Sequence, residues 1–456
     1  MLLWQGNFVS LKKIMTNKYK NSSIGIFGLG LTGLSVFEFL KNTANSIICW
    51  DDSADNRNKF NQKFLLSLSD PKWQQLDMIV ISPGIAESHP VYLLANKYTI
   101  PISSDIQLFL EENKNSDIIV ITGTNGKSTT TALIGHILSS HQLDYHIGGN
   151  IGLPVLSLPQ HAEGYILELS SFQLDLLQNL EPTIAILLNI TPDHIDRHGS
   201  YQQYCKAKAK ALNGDGLKII GIDSEKSREL YENLKKSNNK LIPISTKPTQ
   251  VGISCNTDRI VDNFYNFTSY ELPKLQNLIG NHNHENIAAA FAACRAIGLK
   301  SQEIIPCLQN FKGLKHRMQF LGKLGRISFY NDSKATNTSS AVSSLSTLNN
   351  IFWLAGGVFK EETLLPVENF LKNIKKSYLF GKSKLFFAKY LEGKIEYVVC
   401  DTMEEALQAA IKDAELEELD ANILLAPACA SLDQFKNFED RGNQFINLCY
   451  AKFKQK

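Results

Sequence analysis

Short apolar runs alternate with amphipathic stretches along nearly the whole chain. Runs such as Ile24–Phe27, Ile118–Ile121, Tyr165–Leu169, Ile184–Ile190 and Leu217–Ile222 have strand length, and the stretches between them suit covering helices. This pattern predicts an α/β protein with mostly parallel sheets covered by helices. Three blocks are visible. The first opens with "SSIGIFGLGLTGLSVFEFL", a strand, a G-x-G-x-x-G turn at Gly28, Gly30 and Gly33, and a helix; a second strand, "SIICWDD", ends at Asp51 and Asp52. That is a Rossmann-like arrangement. The second block begins near Ile118 and runs to the helix-like "NHENIAAAFAACRAIG". The third follows "GLKHRMQF" and holds "RISFYND", "IFWLAGG", "SYLFG", "EYVVCD" and "NILLAPA", again Rossmann-like. The expected division is a loose tail over residues 1–21 and domains over 22–109, 110–313 and 314–456, with linkers near residues 110 and 313. Either Met1 or Met15 can serve as the start.

Composition narrows the classes. At 456 residues the chain is too long for one core, and two or three domains are expected. A net charge of +2 gives no field that favours nucleic acid or a membrane surface. No apolar run approaches a membrane span, and the N-terminal stretch lacks the apolar core of a signal peptide. The eight cysteines are scattered without C-x-x-C, which suits reduced thiols in cytoplasm.

The chemistry centres on "DIIVITGTNGKSTTTALIGHIL" (residues 117–138). It reads as strand, glycine loop and helix, but only Thr124 and Asn125 separate Gly123 from Gly126, where the common phosphate loop has four residues. The physical needs are still met. Two glycines let backbone N–H groups turn inward, the helix start favours an anion, Lys127 reaches a terminal phosphate and Ser128 suits Mg²⁺. A tight turn with a surface lysine is the plainer alternative. Gly123, Thr124, Asn125, Gly126, Lys127, Ser128, Thr129 and Thr130 form the expected ATP triphosphate site.

"TGTNGKSTT" resembles the loop of the Mur ligases and of folylpoly-γ-glutamate synthetase, which activate a carboxylate with ATP and join it to an amine. Glu168 ends a strand, where open sheets bind ligands, so it is expected on Mg²⁺; a charge at the start of the next helix is the other reading. In "LNITPDHIDRHGSYQQYCKAKAK", His194 lies beyond a strand end, and the resemblance puts it near a second metal ion and the substrate. His198 is discounted, because Pro192 and Gly199 oppose a helical pair. On spacing alone Lys206, Lys208 and Lys210 are a solvated helix face. The resemblance instead makes Lys208, in "YCKAK", a CO₂-derived carbamate that serves Mg²⁺; a desolvated lysine has the neutral amine this needs. Lys127, His194 and Lys208 are the expected catalytic residues.

By the same resemblance, Asn283 and Asn286 in "GNHNHEN" lie near ATP, with Asn286 on adenine; the stretch also reads as a helix capped by Asn. Arg317 in "GLKHR" is expected on ATP phosphates, with a domain-boundary salt bridge as the alternative. "NDSKATN" and "ACASLDQFKNFEDRGNQF" resemble the members of the family that add D-glutamate. Asp332 and Lys334 then approach the nucleotide, while Thr336, Lys360, Ser431 and Phe438 surround D-glutamate. Phe438 is read equally well as a core residue. Glu361 and Glu362, where the family has smaller residues, are expected to weaken Lys360.

In the first block the glycine turn alone also suits a nicotinamide enzyme. The resemblance places a UDP-linked substrate there, with contacts from Leu31, Thr32, Asp51, Gly84 and Asn150. Asp52 and Ser53 replace the family's Thr-Arg, which leaves Arg57 as the nearest arginine in sequence. The implied protein is a cytoplasmic monomer without nucleic acid or stable membrane partners. The implied reaction joins UDP-N-acetylmuramoyl-L-alanine to D-glutamate, using ATP and two Mg²⁺ ions, in peptidoglycan precursor synthesis. Domain closure is expected, because substrates and catalytic groups come from different blocks.

Overall fold

The computed structural model describes residues 17–236, 240–273, 275, 277–361 and 363–454. The expected tail before residue 17, Met15 included, and Glu362 lie outside the described residues. The chain packs as two compact units: one comprises the chain up to Lys127 with His141–Pro243, the other Ser128–Ser140 with everything from Ile244 on. Together they carry three α/β domains with mostly parallel sheets.

The first unit opens with a parallel sheet in the order Ser46–Trp50, Ser23–Phe27, Met78–Ile81, Ile102–Ser103. Within the described part of the stretch assigned to the tail one residue is packed, while Lys18, Lys20 and Asn21 are exposed. Tyr19 is buried, meets Phe39 edge-on at 6.5 Å, and donates its hydroxyl to Glu111 at 3.0 Å. Residue 110 itself lies in a helix, Asp105–Glu112, and the irregular stretch between that helix and the next strand covers residues 113–116, within several residues of the expected linker. Ser104 caps the helix by accepting from the Gln107 N–H, and Ile106, Leu108 and Phe109 are buried, so the helix is core.

The same unit holds five parallel strands in the order Leu217–Gly221, Ile184–Leu187, Asp117–Thr122, Gly164–Glu168, Tyr145–Gly149. The central run Ile118–Ile121 is buried on both faces, as its unbroken apolar character requires. Strand Asp117–Thr122 has Gly164–Glu168 on one side and Ile184–Leu187 on the other, so consecutive connections part at its C-terminal end and open the crevice where such sheets bind ligands.

In the second unit, Ile244–Ser245 pair in parallel with Ile253–Ser254, and Arg259–Asn263 and Thr268–Glu271 follow antiparallel. The helix Asn281–Ile297 belongs here, with residues 287–294 all fully buried. A six-stranded sheet completes the unit in the order Gln319–Leu324, Ile327–Asn331, Ala421–Leu425, Ile351–Gly356, Ile374–Phe380, Glu396–Val399. Only its first strand pairs antiparallel. All eight cysteines are free and buried. No helix among the described residues is long and apolar enough to cross a membrane.

Candidate active site

The glycine loop leaves strand Asp117–Thr122 and enters helix Lys127–Ser140. Gly123 has φ +153° and Gly126 φ +84°, backbone states that a side chain would strain, and this is how two intervening residues suffice to make the turn. Segments distant in sequence brace the loop. Asn125 N–H donates to Asn189 Oδ1 at 2.9 Å, and Thr124 N–H to the Asn189 carbonyl at 2.8 Å. The Thr124 hydroxyl meets Tyr204 Oη at 2.8 Å and accepts from Thr191 N–H at 3.0 Å.

Two ammonium groups converge on one oxygen. Lys127 Nζ donates to the Gly123 carbonyl at 2.9 Å and to that of Thr124 at 2.9 Å; Lys208 Nζ donates to the same Gly123 carbonyl at 2.7 Å. Lys208 is 2% exposed, so the reading of its helix as a solvated face fails here. Helix Tyr201–Ala209 turns Tyr204 and Lys208, four residues apart, toward the loop, and the ammonium lies 4.8 Å from the Tyr204 ring. Burial first, and then the Lys127 charge, push the Lys208 pKa down to about 7.

Glu168 is 1% exposed at the end of its strand. Asn150 Nδ2 donates to its Oε1 at 2.9 Å, while Oε2 has no hydrogen-bond partner. A buried carboxylate oxygen without a donor is costly, and a divalent cation with oxygen ligands would satisfy it. That one oxygen suits the expected Mg²⁺; among the described residues no three His, Cys, Asp or Glu side chains are grouped to hold a metal ion. His194 caps the short helix Ile195–His198 in a left-handed conformation, φ 51° and ψ 33°, and its half-exposed ring lies 5.0 Å from that of Phe172. His198 is held by Asp175 at 3.2 Å and Ser171 at 2.9 Å and stacks on Phe172, so it is structural.

Arg197 lies between the two histidines and reaches another loop. It donates to the carbonyls of Gly84, Pro83 and Ile85 at 2.9, 3.1 and 2.6 Å, with its guanidinium 4.7 Å from the Phe172 ring. Gly84 is thereby fixed relative to the loop that carries His194. Arg197→Ala should remove about 2 kcal/mol of charge-assisted bonding. Calorimetry of the variant should show a melting temperature about 4–8 °C lower; an unchanged transition would mean the clamp contributes nothing.

In the first sheet, Leu31 is 78% exposed at the start of its helix, a position suited to a ligand rather than a core. Asp51 is nearly buried. Burial alone would raise its pKa, but N–H donors from Leu29 at 2.5 Å and Ser53 at 2.7 Å, together with Asn56 at 3.0 Å, hold it below the usual range. Its oxygens thus close the glycine turn. Asp52 pairs with His89 Nε2 at 2.9 Å. Arg57 reaches back from its own short helix to the carbonyls of Asp51 and Asp52 at 2.5 and 2.8 Å and lies 4.6 Å over the Trp50 ring.

The second unit groups the remaining candidates. Gly280, not an asparagine, caps helix Asn281–Ile297. Asn283 donates instead to the Ile279 carbonyl at 2.7 Å, and Asn286 links Asn283 at 2.9 Å with the Thr130 hydroxyl at 3.2 Å. Arg317 is exposed and makes no ion pair among the described residues, so the boundary salt bridge is not formed. Asp332 is buried, which raises its pKa, and it accepts from the Ser344 hydroxyl and from Met318 N–H. Lys334 Nζ lies 4.9 Å over the Phe438 ring, and the Phe438 carbonyl accepts from Ser333 Oγ at 2.8 Å. Val358 and Ala430 bridge antiparallel, which sets the turns of Lys360 and Ser431 side by side. Glu361 binds Thr338 N–H at 3.1 Å, a partner other than the neighbouring Lys360.

Comparison with known proteins adds lineage to this geometry. The Mur ligase MurD-like N-terminal domain matches residues 22–104, and the Mur ligase middle domain matches residues 121–294. The UDP-N-acetylmuramoylalanine–D-glutamate ligase of Rickettsia bellii is 49% identical over 440 residues, covering 94% of this chain and 98% of that protein. The chain belongs to the Mur ligase family. Relatives of the same name from Rickettsia prowazekii, at 49% identity over 95% of this chain and 98% of that one, and Rhizobium meliloti, at 38% over 95% and 97%, extend the match. Among solved structures, MurF ligase from Thermotoga maritima in complex with ADP aligns over 97% of both chains at 14% identity with a TM-score of 0.58. MurC from the same organism aligns over 95% of this chain and 100% of its own at 16% identity, TM-score 0.57. Such likeness shows a shared Mur ligase fold.

Sequence reasoning did not single out Asn189, Tyr204, Phe172 or Arg197. Tyr204 carried a signal, since it opens the "YCKAK" match four residues before Lys208. Asn189 sits in the loop after a strand end, and Phe172 and Arg197 in short helices just beyond strand ends, where function concentrates but spacing says little.

Proposed function

We propose that this chain catalyses ATP-dependent amide formation between UDP-N-acetylmuramoyl-L-alanine and D-glutamate, as a monomer in the cytoplasm. The observation that carries the reading is the end-to-end match, at 49% identity, to relatives that bear this ligase name. The L-alanine carboxylate attacks the γ-phosphorus and ADP leaves, giving an acyl phosphate. The D-glutamate amine, as the free base, attacks the acyl carbon, and phosphate leaves with the former carboxylate oxygen.

The division of labour follows the blocks, over residues 22–109, 110–313 and 314–456. Leu31, Thr32, Asp51, Gly84 and Asn150 would hold the UDP-linked substrate. Gly123 to Thr130 would wrap the triphosphate, with Lys127 exchanging its carbonyl partners for phosphate oxygens. Asn283 and Asn286 would take the adenine side, while Arg317, Asp332 and Lys334 complete the nucleotide contacts. Two bound Mg²⁺ ions would neutralise charge between carboxylate and triphosphate. Ser128, Glu168, His194 and Lys208 as a carbamate would hold them; the unpartnered Glu168 oxygen and the neutral-leaning Lys208 amine support that assignment. Thr336, Lys360, Ser431 and Phe438 would receive D-glutamate. Eight free thiols suit a reducing compartment.

The deciding assay measures ADP release with UDP-N-acetylmuramoyl-L-alanine and a panel of amino acids. D-Glutamate should give turnover at least about tenfold above any other, the margin that a satisfied charged contact supplies. Equal turnover with L-lysine or a diamino acid would overturn the assignment.

A further inference from the structure

Arg441 stands in the last helix, Phe438–Phe453, and is fully buried. Its Nε donates to Ser333 Oγ at 2.9 Å, Nη2 to the Ser333 carbonyl at 2.8 Å and Nη1 to the Cys429 carbonyl at 3.0 Å. These acceptors belong to turns after adjacent strands, Ile327–Asn331 and Ala421–Leu425. A third turn is drawn in at Gly357, where a Cβ would lie 2.3 Å from the Ala430 carbonyl and 3.3 Å from Arg441 Nη1, so only glycine fits. Ser333 passes the link on by donating to the Phe438 carbonyl at 2.8 Å. One guanidinium thus organises the turns that carry Lys334, Lys360, Ser431 and Phe438.

All three hydrogen bonds of this cation go to neutral oxygens, although a buried guanidinium ordinarily takes a carboxylate. Burial lowers its pKa only to about 10, with Cys429, Asp433 and Asp332 pulling upward, so it stays charged near neutral pH. Stability alone does not call for such a group, since burying a cation is costly even when its donors are satisfied. A fixed positive charge beneath three converging strand-end turns does suit an anionic ligand.

We infer that Arg441 is a positioning residue for the acidic amino-acid substrate: it locks the three strand-end turns in register and biases their pocket toward a dicarboxylate. This rests on the proposed D-glutamate ligation. Two variants test it beside wild type, with separate KM measurements for D-glutamate and UDP-N-acetylmuramoyl-L-alanine. Ser333→Ala removes one acceptor of Arg441 and the link to Phe438, and should raise the D-glutamate KM about 5–10-fold. Arg441→Met should raise it about 30-fold or more and cut the preference for D-glutamate over D-glutamine about tenfold, with Arg441→Lys intermediate. The KM for the UDP-linked substrate should stay within about twofold throughout, since losses at one contact need not spread to sites that share no partner with it. If Arg441→Met does not fold, Ser333→Ala alone decides. An active wild type whose Ser333→Ala D-glutamate KM is unmoved, or moves in step with that for the UDP-linked substrate, overturns the inference alone. A wild type that makes no D-glutamate product overturns it together with the functional reading.

Discussion

Lys127→Ala is expected to lower ATP-dependent turnover by about 10³-fold or more while leaving the fold intact. The ammonium rests on the Gly123 and Thr124 carbonyls, at the place where the proposed reaction gathers negative charge. A carboxylate must approach a triphosphate, so each cation lost there raises the barrier directly. The side chain is only partly buried, and Lys208 also donates to the Gly123 carbonyl, so removing Lys127 does not strip that oxygen. Circular dichroism and the melting temperature should therefore change little. Steady-state ADP release with both substrates present is the measurement, and turnover within tenfold of wild type would remove Lys127 from the reaction. A second effect follows, because Lys127 helps depress the Lys208 pKa. The variant should leave Lys208 more fully protonated and harder to carbamylate, which intact-protein mass spectrometry in bicarbonate buffer can follow.

Lys208→Met should be nearly as damaging to turnover, again by about 10³-fold, and should stabilise the protein. The two effects share one cause. The folded chain holds Lys208 at a pKa of about 7, against an ordinary 10.5. Between those values the unfolded chain keeps a proton that the folded chain has released. Wild-type stability in CO₂-free buffer should then rise with pH from about 7 to 10.5, with no contribution from this group to the slope below that window. Methionine fills similar space without a charge to desolvate, so the variant should be the more stable at neutral pH and should lose that slope. Urea unfolding at pH 7 and pH 9.5 measures both. A variant less stable than wild type at pH 7, or one with the same pH dependence, would contradict the burial argument. Retained turnover would contradict the chemical one.

Much of this architecture was legible along the chain. Apolar runs bounded by glycine and polar residues mark the strands, because a strand buried on both faces must be apolar throughout. The glycine spacing marks the tight turn between strand and helix, because its positive φ angles leave few alternatives to glycine. Legibility failed where local pattern and packing disagree. Lys206, Lys208 and Lys210 share one composition, yet Lys208 alone of the three is buried. The first linker is expected near residue 110, and the burial of Ile106, Leu108 and Phe109 makes the helix up to Glu112 core, with the irregular stretch following it. Glu361 looks like a partner for Lys360 in sequence and instead binds Thr338 N–H.

The order of strands and helices, the three-block plan and the tight glycine turn follow from periodicity and turn chemistry, which act over a few residues and are written locally. Which groups meet is another matter. Lys208 finds the Gly123 carbonyl across 85 positions, and Arg441 finds Ser333 across 108. Such meetings depend on which strands lie side by side and how far their ends project. The Lys208 pKa falls, and the Arg441 charge is fixed, only once packing has excluded water around them, and no local pattern of residues encodes that.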